Sequence, residues 1–337
     1  MGVNSLRGVE EGTLVAAQPI GLCQIALSVR DLQRTHAWYR QVFGFLPAGG
    51  TRLFRGPLTS RVQGLPGVIS TCWWLVDQQD FFQLEMFEFK RPEVKPLPPD
   101  WRPCDVGYSM VGFHVADFDA ALARLEKAHI RHIAPPLGRN GTRRVCVRDP
   151  EGVLLEIMED DPGEPGASHR PRPELPVATR FITVSVPDLE RSRRFFVETL
   201  GLPEAKDVAL HLPEHEALWG LPGARRRSSL LWAGDRLIEL VEYIDPVGRP
   251  WPEGHRISDQ GILNIALGFR DKKLFDAVYR RCVSAGYRGN WRPLNLGAWS
   301  VVYLNDDQGF SVELLFVRSW YDGQMGFRPK IRMKLFD

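Results

Sequence analysis

The chain has no long hydrophobic run, little net charge and only a handful of cysteines in no recognisable spacing. No apolar stretch approaches the roughly 18 residues that a membrane-spanning helix needs, so no membrane partner is expected. A formal net charge of +2 gives no broad electrostatic footprint for nucleic acid, and Arg225-Arg226-Arg227 reads as a solvated loop. The five cysteines (Cys23, Cys72, Cys104, Cys146, Cys282) are odd in number and form no C-x-x-C. That argues for reduced thiols in a cytoplasmic protein, with neither a disulfide framework nor a zinc knuckle. The N-terminal stretch carries Arg7, Glu10 and Glu11 and does not resemble a signal peptide. Phosphate-cradling glycine loops and a G-x-S-x-G elbow are both missing, which leaves nucleotide binding and serine hydrolysis without support.

What is present is a repeat. Gln24–Leu32 returns as Phe181–Leu189, 157 positions later, and Gly64-Leu65-Pro66-Gly67 returns as Gly220-Leu221-Pro222-Gly223. Leu84–Glu88 returns as Ile238–Glu242, and Arg148–Gly152 with Glu156 returns as Asn305–Gly309 with Glu313. The near-constant offset implies two fused copies of one fold, with equivalent points in each to be searched for function. The implied division is a tail over 1–19, a first domain over 20–160 and a Pro/Gly-rich linker over 161–177. A second domain follows over 178–320, then a tail over 321–337.

Each copy is itself doubled. A strand leads to an Asp, then an amphipathic helix, then further strands, at Asp31, Asp117, Asp188 and Asp271. Asp caps a helix well because its carboxylate accepts from free backbone N–H groups at the positive helix end. The predicted architecture is α+β: four βαβββ modules whose mixed sheets curl around clefts.

The Asp149-Pro150-Glu151-Gly152 turn before Leu155-Glu156-Ile157, and the opening Val29-Arg30-Asp31-Leu32 with Trp38-Tyr39 downstream, resemble the vicinal oxygen chelate superfamily. That superfamily includes glyoxalase I, bleomycin-resistance proteins and extradiol dioxygenases. The resemblance implies paired modules forming a U-shaped sheet around a divalent metal, with ligands from the first and last strands of each module. Those positions hold Gln24, Glu85, Met110 and Glu156 in the first copy, and Phe181, Glu239, Asn264 and Glu313 in the second. Four carboxylates are kept, and no histidine stands at a first-strand position. The iron triad of two His and one carboxylate cannot be assembled there, so extradiol ring cleavage is disfavoured.

The expected catalytic set is Glu85, Glu156 and His114, the last lying four residues beyond Met110 on the same strand face. Gln24, Glu85 and Glu156, and less strongly Glu239 and Glu313, are the candidate metal ligands. Zn, Ni, Mn, Mg and Fe, or no cofactor at all, stay open. Met110, Trp73, Phe181 and Asn264 are expected to line the substrate cleft. Trp73 and Trp74 must face opposite ways, so one faces the cleft. His211-Leu212-Pro213-Glu214-His215 has H-x-x-x-H spacing, but Pro213 argues against a helix, so a surface loop is expected. His36 is expected to face solvent.

The leading expectation is an enzyme acting on an apolar or aromatic oxygenated small molecule by proton transfer, isomerisation or a lyase-like step. The alternative is a protein that sequesters such a compound. Modules could pair within a copy or between copies, and the latter sets Gln24 and Glu85 against Asn264 and Glu313. A homodimer is also left open.

Overall fold

The computed structural model describes residues 20–77, 79–163 and 176–330, apart from the side chains of residues 51 and 52. The expected tail over 1–19, most of the linker and residues 331–337 lie outside the described residues. The first module contains β1 (Gly21–Ser28), α1 (Leu32–Phe43), β2 (Leu46–Arg55), α2 (Pro57–Gln63), β3 (Ile69–Val76) and β4 (Gln83–Arg91). The second has β5 (Gly107–Val115), α3 (Phe118–Lys127), β6 (Arg144–Arg148) and β7 (Leu154–Met158). The third has β8 (Val177–Ser185), α4 (Leu189–Arg193, continued by a π-helical turn), β9 (Arg225–Ala233) and β10 (Arg236–Asp245). The fourth has β11 (Gly261–Phe269), α5 (Lys272–Ser284), the short β12 (Arg288–Gly289) and β13 (Leu294–Asn295), then β14 (Trp299–Asn305) and β15 (Ser311–Val317). Among the described residues no helix is long and apolar enough to cross a membrane.

The repeated Asp residues are N-caps. Asp31, Asp117 and Asp188 each accept from the N–H three residues on, and Asp271 from the Lys273 N–H. The recurring Asp-x-x-Gly turn also has a local cause. Asp149 accepts from the Glu151 and Val153 N–H groups, and Asp306 from those of Gln308 and Phe310. Each carboxylate thereby closes a tight connection between two strands, with Gly152 and Gly309 in the left-handed region.

The sheets do not follow the copies. One sheet runs β12-β14-β15-β11-β1-β4-β3-β2, and the other β6-β7-β5-β8-β10-β9. The first and fourth modules thus share a sheet, as do the second and third. The central antiparallel seams are β1 with β11 and β5 with β8. The second seam is specified by shape: Phe181 lies flat over Gly112, where a Cβ would come within 1.8 Å of the ring. A large core between the sheets and their helices includes Tyr39, Phe43, Phe113, Phe195 and Phe275. Residues 321–330, expected to be a tail, instead fold over the first sheet. Phe327 packs on Phe81 at 4.6 Å, and the Lys330 N–H donates to the Pro47 carbonyl.

Candidate functional site

Two clefts result, one per sheet. In the first, the register places Ala26 beside both Glu85 and Asn264, and Ala266 beside both Gln24 and Glu313. The two small alanines leave room at the middle of the sheet. A cavity of about 310 Å³ opens above them, and Gln24, Glu85 and Glu313 line its polar end. Its walls are apolar or aromatic, including Phe54, Phe87, Trp299, Val301 and Leu315. Met325, from the folded-back C-terminal segment, closes one side.

Glu85 is an acceptor held by three donors: Trp74 Nε1 at 2.8 Å, Gln24 Nε2 at 2.6 Å and Cys72 Sγ at 3.2 Å. The far end of the Gln24 amide meets the Gln83 amide at 2.8 Å. Glu313 is less well served. Among the described residues its Oε2 and both ends of the Asn264 amide are buried without a hydrogen-bond partner of good geometry. Burial raises both carboxyl pKa values, and for Glu313 the neighbouring Glu85 charge raises it further. The pair titrates as a unit and keeps a proton that isolated carboxylates would lose. Among the described residues no Lys, Arg or His lines this cavity.

The second cleft is filled from within. His211, its side chain fully buried, lies 2.8 Å from Glu239 through Nδ1 and 3.3 Å from Glu156 through Nε2. Arg144 donates to Glu156 at 3.0 Å and to Asp160 at 2.7 Å. Arg226 donates to Glu239 at 2.8 Å and pairs with Glu216. Trp219 Nε1 donates to Glu156 and Thr183 Oγ1 to Glu239. Burial alone would depress the His211 pKa, but the Glu239 and Glu156 charges outweigh it and raise it to about 9. Burial alone would raise the Glu156 carboxyl; His211 and Arg144 hold it down to about 2. Met110 and Phe181 complete this region as ordinary core residues.

Residues 21–157 match the model of the Glyoxalase/Bleomycin resistance protein/Dioxygenase superfamily. Among solved structures, a dioxygenase candidate from Bacillus subtilis superposes with a TM-score of 0.61 at 16% identity, over 92% of this chain and 91% of that one. Glyoxalase I from Zea mays superposes with a TM-score of 0.57 at 17% identity, over 88% of this chain and 92% of that one. The fold is that of the vicinal oxygen chelate superfamily. No curated protein matches the chain.

In vicinal oxygen chelate proteins the resemblance implied a metal at this point of the sheet, and the residues present do not fit one. Both Glu85 oxygens already accept hydrogen bonds, and Gln24 turns its nitrogen toward that carboxylate. Among the described residues no group of three or more His, Cys, Asp or Glu is disposed to hold a metal. Among the described residues of this cleft, Glu313 Oε2 and the Asn264 amide alone lack a hydrogen bond of good geometry. Glu313 still interacts with Tyr303 and Asn264, which leaves fewer donors than a resident divalent cation requires.

The expected grouping of Glu85, Glu156 and His114 is corrected by the pairing between copies. Glu85 belongs to the first cleft and Glu156 to the second, where two cations and an indole occupy it. His114 sits at the end of β5, with Nδ1 at 3.3 Å from the Met158 carbonyl and Nε2 at 3.8 Å from Asp161. It is an interior histidine with local partners. Glu239 faces His211 and Arg226 and is no free metal ligand. Met110 and Phe181 line packed core in place of a substrate cleft, whereas Asn264 is buried on β11 opposite Ala26, beside Glu313.

Trp74, and not Trp73, faces the cavity; Trp73 packs edge-on against His36 at 5.2 Å on the opposite face. His36 is accordingly buried, contrary to its expected exposure. The largest miss is His211. Pro213 does preclude an α-helix, but it opens a 3-10 turn over Pro213–Trp219 that carries Glu216 and Trp219 into the cleft beside His211. Arg226 likewise leaves the expected solvated loop for a buried place on β9. The recurrence of Glu239 and Glu156 was the only signal that cations had to come from somewhere.

Proposed function

We propose that the first cleft is an enzyme active site for proton transfer on an apolar or aromatic oxygenated small molecule, of the isomerising or epimerising kind. The observation that carries this reading is a pair of buried carboxyls, Glu85 and Glu313, that share one cavity, with Glu313 held, among the described residues, only by the neighbouring Tyr303 and Asn264 side chains. Glu85 is stabilised as the anion by its three donors, so the proton the pair retains belongs on Glu313. Glu313, once that proton has passed to bulk water, is the base that takes the substrate's C–H proton and returns it to carbon. Asn264 Nδ2 is available to donate to a substrate oxygen on which negative charge develops when the neighbouring C–H is lost. The apolar walls exclude water and strengthen both interactions.

Deuterium exchange tests this. The full chain is incubated in D₂O with a panel of aryl and alicyclic hydroxyketones, and carbon-bound deuterium is followed by NMR. Exchange at the carbon next to the carbonyl, lowered roughly 100-fold or more by Glu313→Gln, is the expected result. A compound that binds and is recovered without deuterium would support the alternative reading, sequestration. The tight hydrogen-bonding of Glu85 favours that alternative, since one of the two carboxylates is already fully engaged.

A further inference from the structure

The two clefts are internal controls for one another. Strand register aligns Glu85 with Glu239 and Glu313 with Glu156, so their surroundings can be matched position by position. Where the second cleft has Arg226, opposite Tyr243, the first has Ser70, opposite Phe89. Where it has Arg144, two residues before Cys146, the first has Val301, two residues before Tyr303. Trp219, just before the Gly220-Leu221-Pro222-Gly223 turn, corresponds to Gln63 before Gly64-Leu65-Pro66-Gly67. The carboxylates have thus been kept while both arginines have become neutral. The Ser70 hydroxyl and the Gln63 carbonyl oxygen are left buried without partners among the described residues.

We propose that the first cleft binds a lipophilic organic cation, an ammonium carrying an apolar or aromatic substituent, whose charge stands where the second cleft keeps its own arginines and histidine. This rests on the reading of the first cleft as a small-molecule site and names the class of molecule. The second cleft shows the arrangement in miniature: the Arg226 guanidinium lies 5.6 Å over the Trp219 ring while pairing with Glu239 and Glu216. In the first cleft Trp74, Tyr303 and Trp299 offer aromatic surface beside Glu85 and Glu313. Aromatic rings and desolvated carboxylates attract an ammonium together. Anions such as phosphates or carboxylates meet no complementary charge there. At the mouth, Leu58 and Leu296 are 47% and 58% exposed, which suits an apolar arm reaching outward.

Charge balance gives the idea a distinct signature. The free site keeps one proton on its two carboxyls and so carries one negative charge, which a bound monocation neutralises. The cation also lowers the proton affinity of Glu313, so binding releases part of that proton to the buffer and tightens as pH rises. The other titratable groups facing the pair are Cys72 on β3, Tyr303 on β14 and Cys23 on β1. Burial pushes all three up, so they stay neutral and do not compete. Loss of that proton also leaves Glu313 as the anion needed to act as a base.

Calorimetry on the full chain, at a pH near neutrality and in two buffers of different ionisation enthalpy, decides the matter. The probes are benzyltrimethylammonium, its uncharged isostere neopentylbenzene, and phenylacetate. The ammonium is expected to bind roughly tenfold or more tightly than the isostere, with release of a fraction of a proton, and phenylacetate not to bind. Glu85→Gln and Glu313→Gln should each weaken the ammonium, with circular dichroism confirming that both fold, and Glu313→Gln should abolish proton release. Equal or tighter binding of the isostere overturns the proposal. So does stoichiometric binding of magnesium, manganese or zinc ions that displaces the ammonium. Ammonium binding with no deuterium exchange, either in the hydroxyketone panel or in an aryl ketone bearing a trimethylammonium group, would sink the catalytic reading and leave this one standing.

Discussion

At the scale of single residues, the burial of the carboxylates was legible in the sequence, and which of them share a cleft was not. Glu85, Glu156, Glu239 and Glu313 are all buried on strands facing clefts, as recurrence at equivalent positions implied. Which indole reaches Glu85 was undecidable, because alternation fixes that Trp73 and Trp74 diverge but not which face is the cleft. Since Trp74 donates to Glu85 at 2.8 Å, Trp74→Phe leaves one carboxylate oxygen with a weaker thiol donor only. The expected cost is about 1–2 kcal/mol, read from the urea midpoint. The same change on Trp73, which makes no such bond, should cost less. Glu156 is a sharper case. Glu156→Ala would leave Arg144 with Asp160, His211 with Glu239 and the Trp219 indole N–H with no acceptor, and a loss of about 1–3 kcal/mol is expected in the same measurement. A loss below about 0.5 kcal/mol would mean that Asp160, Glu239 and entering water satisfy these groups fully without Glu156.

At the scale of elements, helices were legible because their caps are local: Asp and an amphipathic run suffice to place α1, α3, α4 and α5. The segment around His211 was not, because its structure depends on partners 28 and more residues away. Its stability should depend on pH in a way that can be signed. The folded pKa of His211 is raised to about 9 from the ordinary histidine value of about 6.5 by the Glu239 and Glu156 charges. The stabilisation is therefore complete below about 6.5 and is lost as pH rises through about 9, amounting to about 3 kcal/mol. Unfolding free energies at pH 6, 8 and 10 (about those values) should fall across that window, and His211→Gln should flatten the fall. A profile in His211→Gln as steep as the parent's would place the titrating group elsewhere. Strand pairing gives a second element-scale expectation. Gly112→Ala puts a methyl into the Phe181 ring, so β5 and β8 must part, and a drop of about 1–3 kcal/mol or failure to fold is expected in thermal melts.

At the scale of the whole molecule, the duplication was plain in the sequence and the partner of each module was not. The offset between copies says that modules are homologous and is silent on which edges meet, since β1 and β5 present similar apolar strands to similar apolar strands. What selects the observed pairing is side-chain shape at the seams, such as Phe181 over Gly112, and Gly268 beneath Cys23 and Phe81. Such complementarity becomes visible only once strands are aligned. It also makes the two copies interdependent, because each sheet draws strands from both copies. Residues 1–160 expressed alone would leave β1 without β11 and β5 without β8, exposing two apolar edges that template aggregation. That fragment is expected to be insoluble or to lack a cooperative melt, and to be rescued by co-expression with residues 161–337 as a complex that co-elutes in gel filtration. A monomeric, cooperatively folded 1–160 would show that β1 and β5 can close a sheet on each other. Glu85 and Glu156 would then share one cleft, and the choice between the two arrangements would rest on the seams' few glycine–aromatic contacts alone.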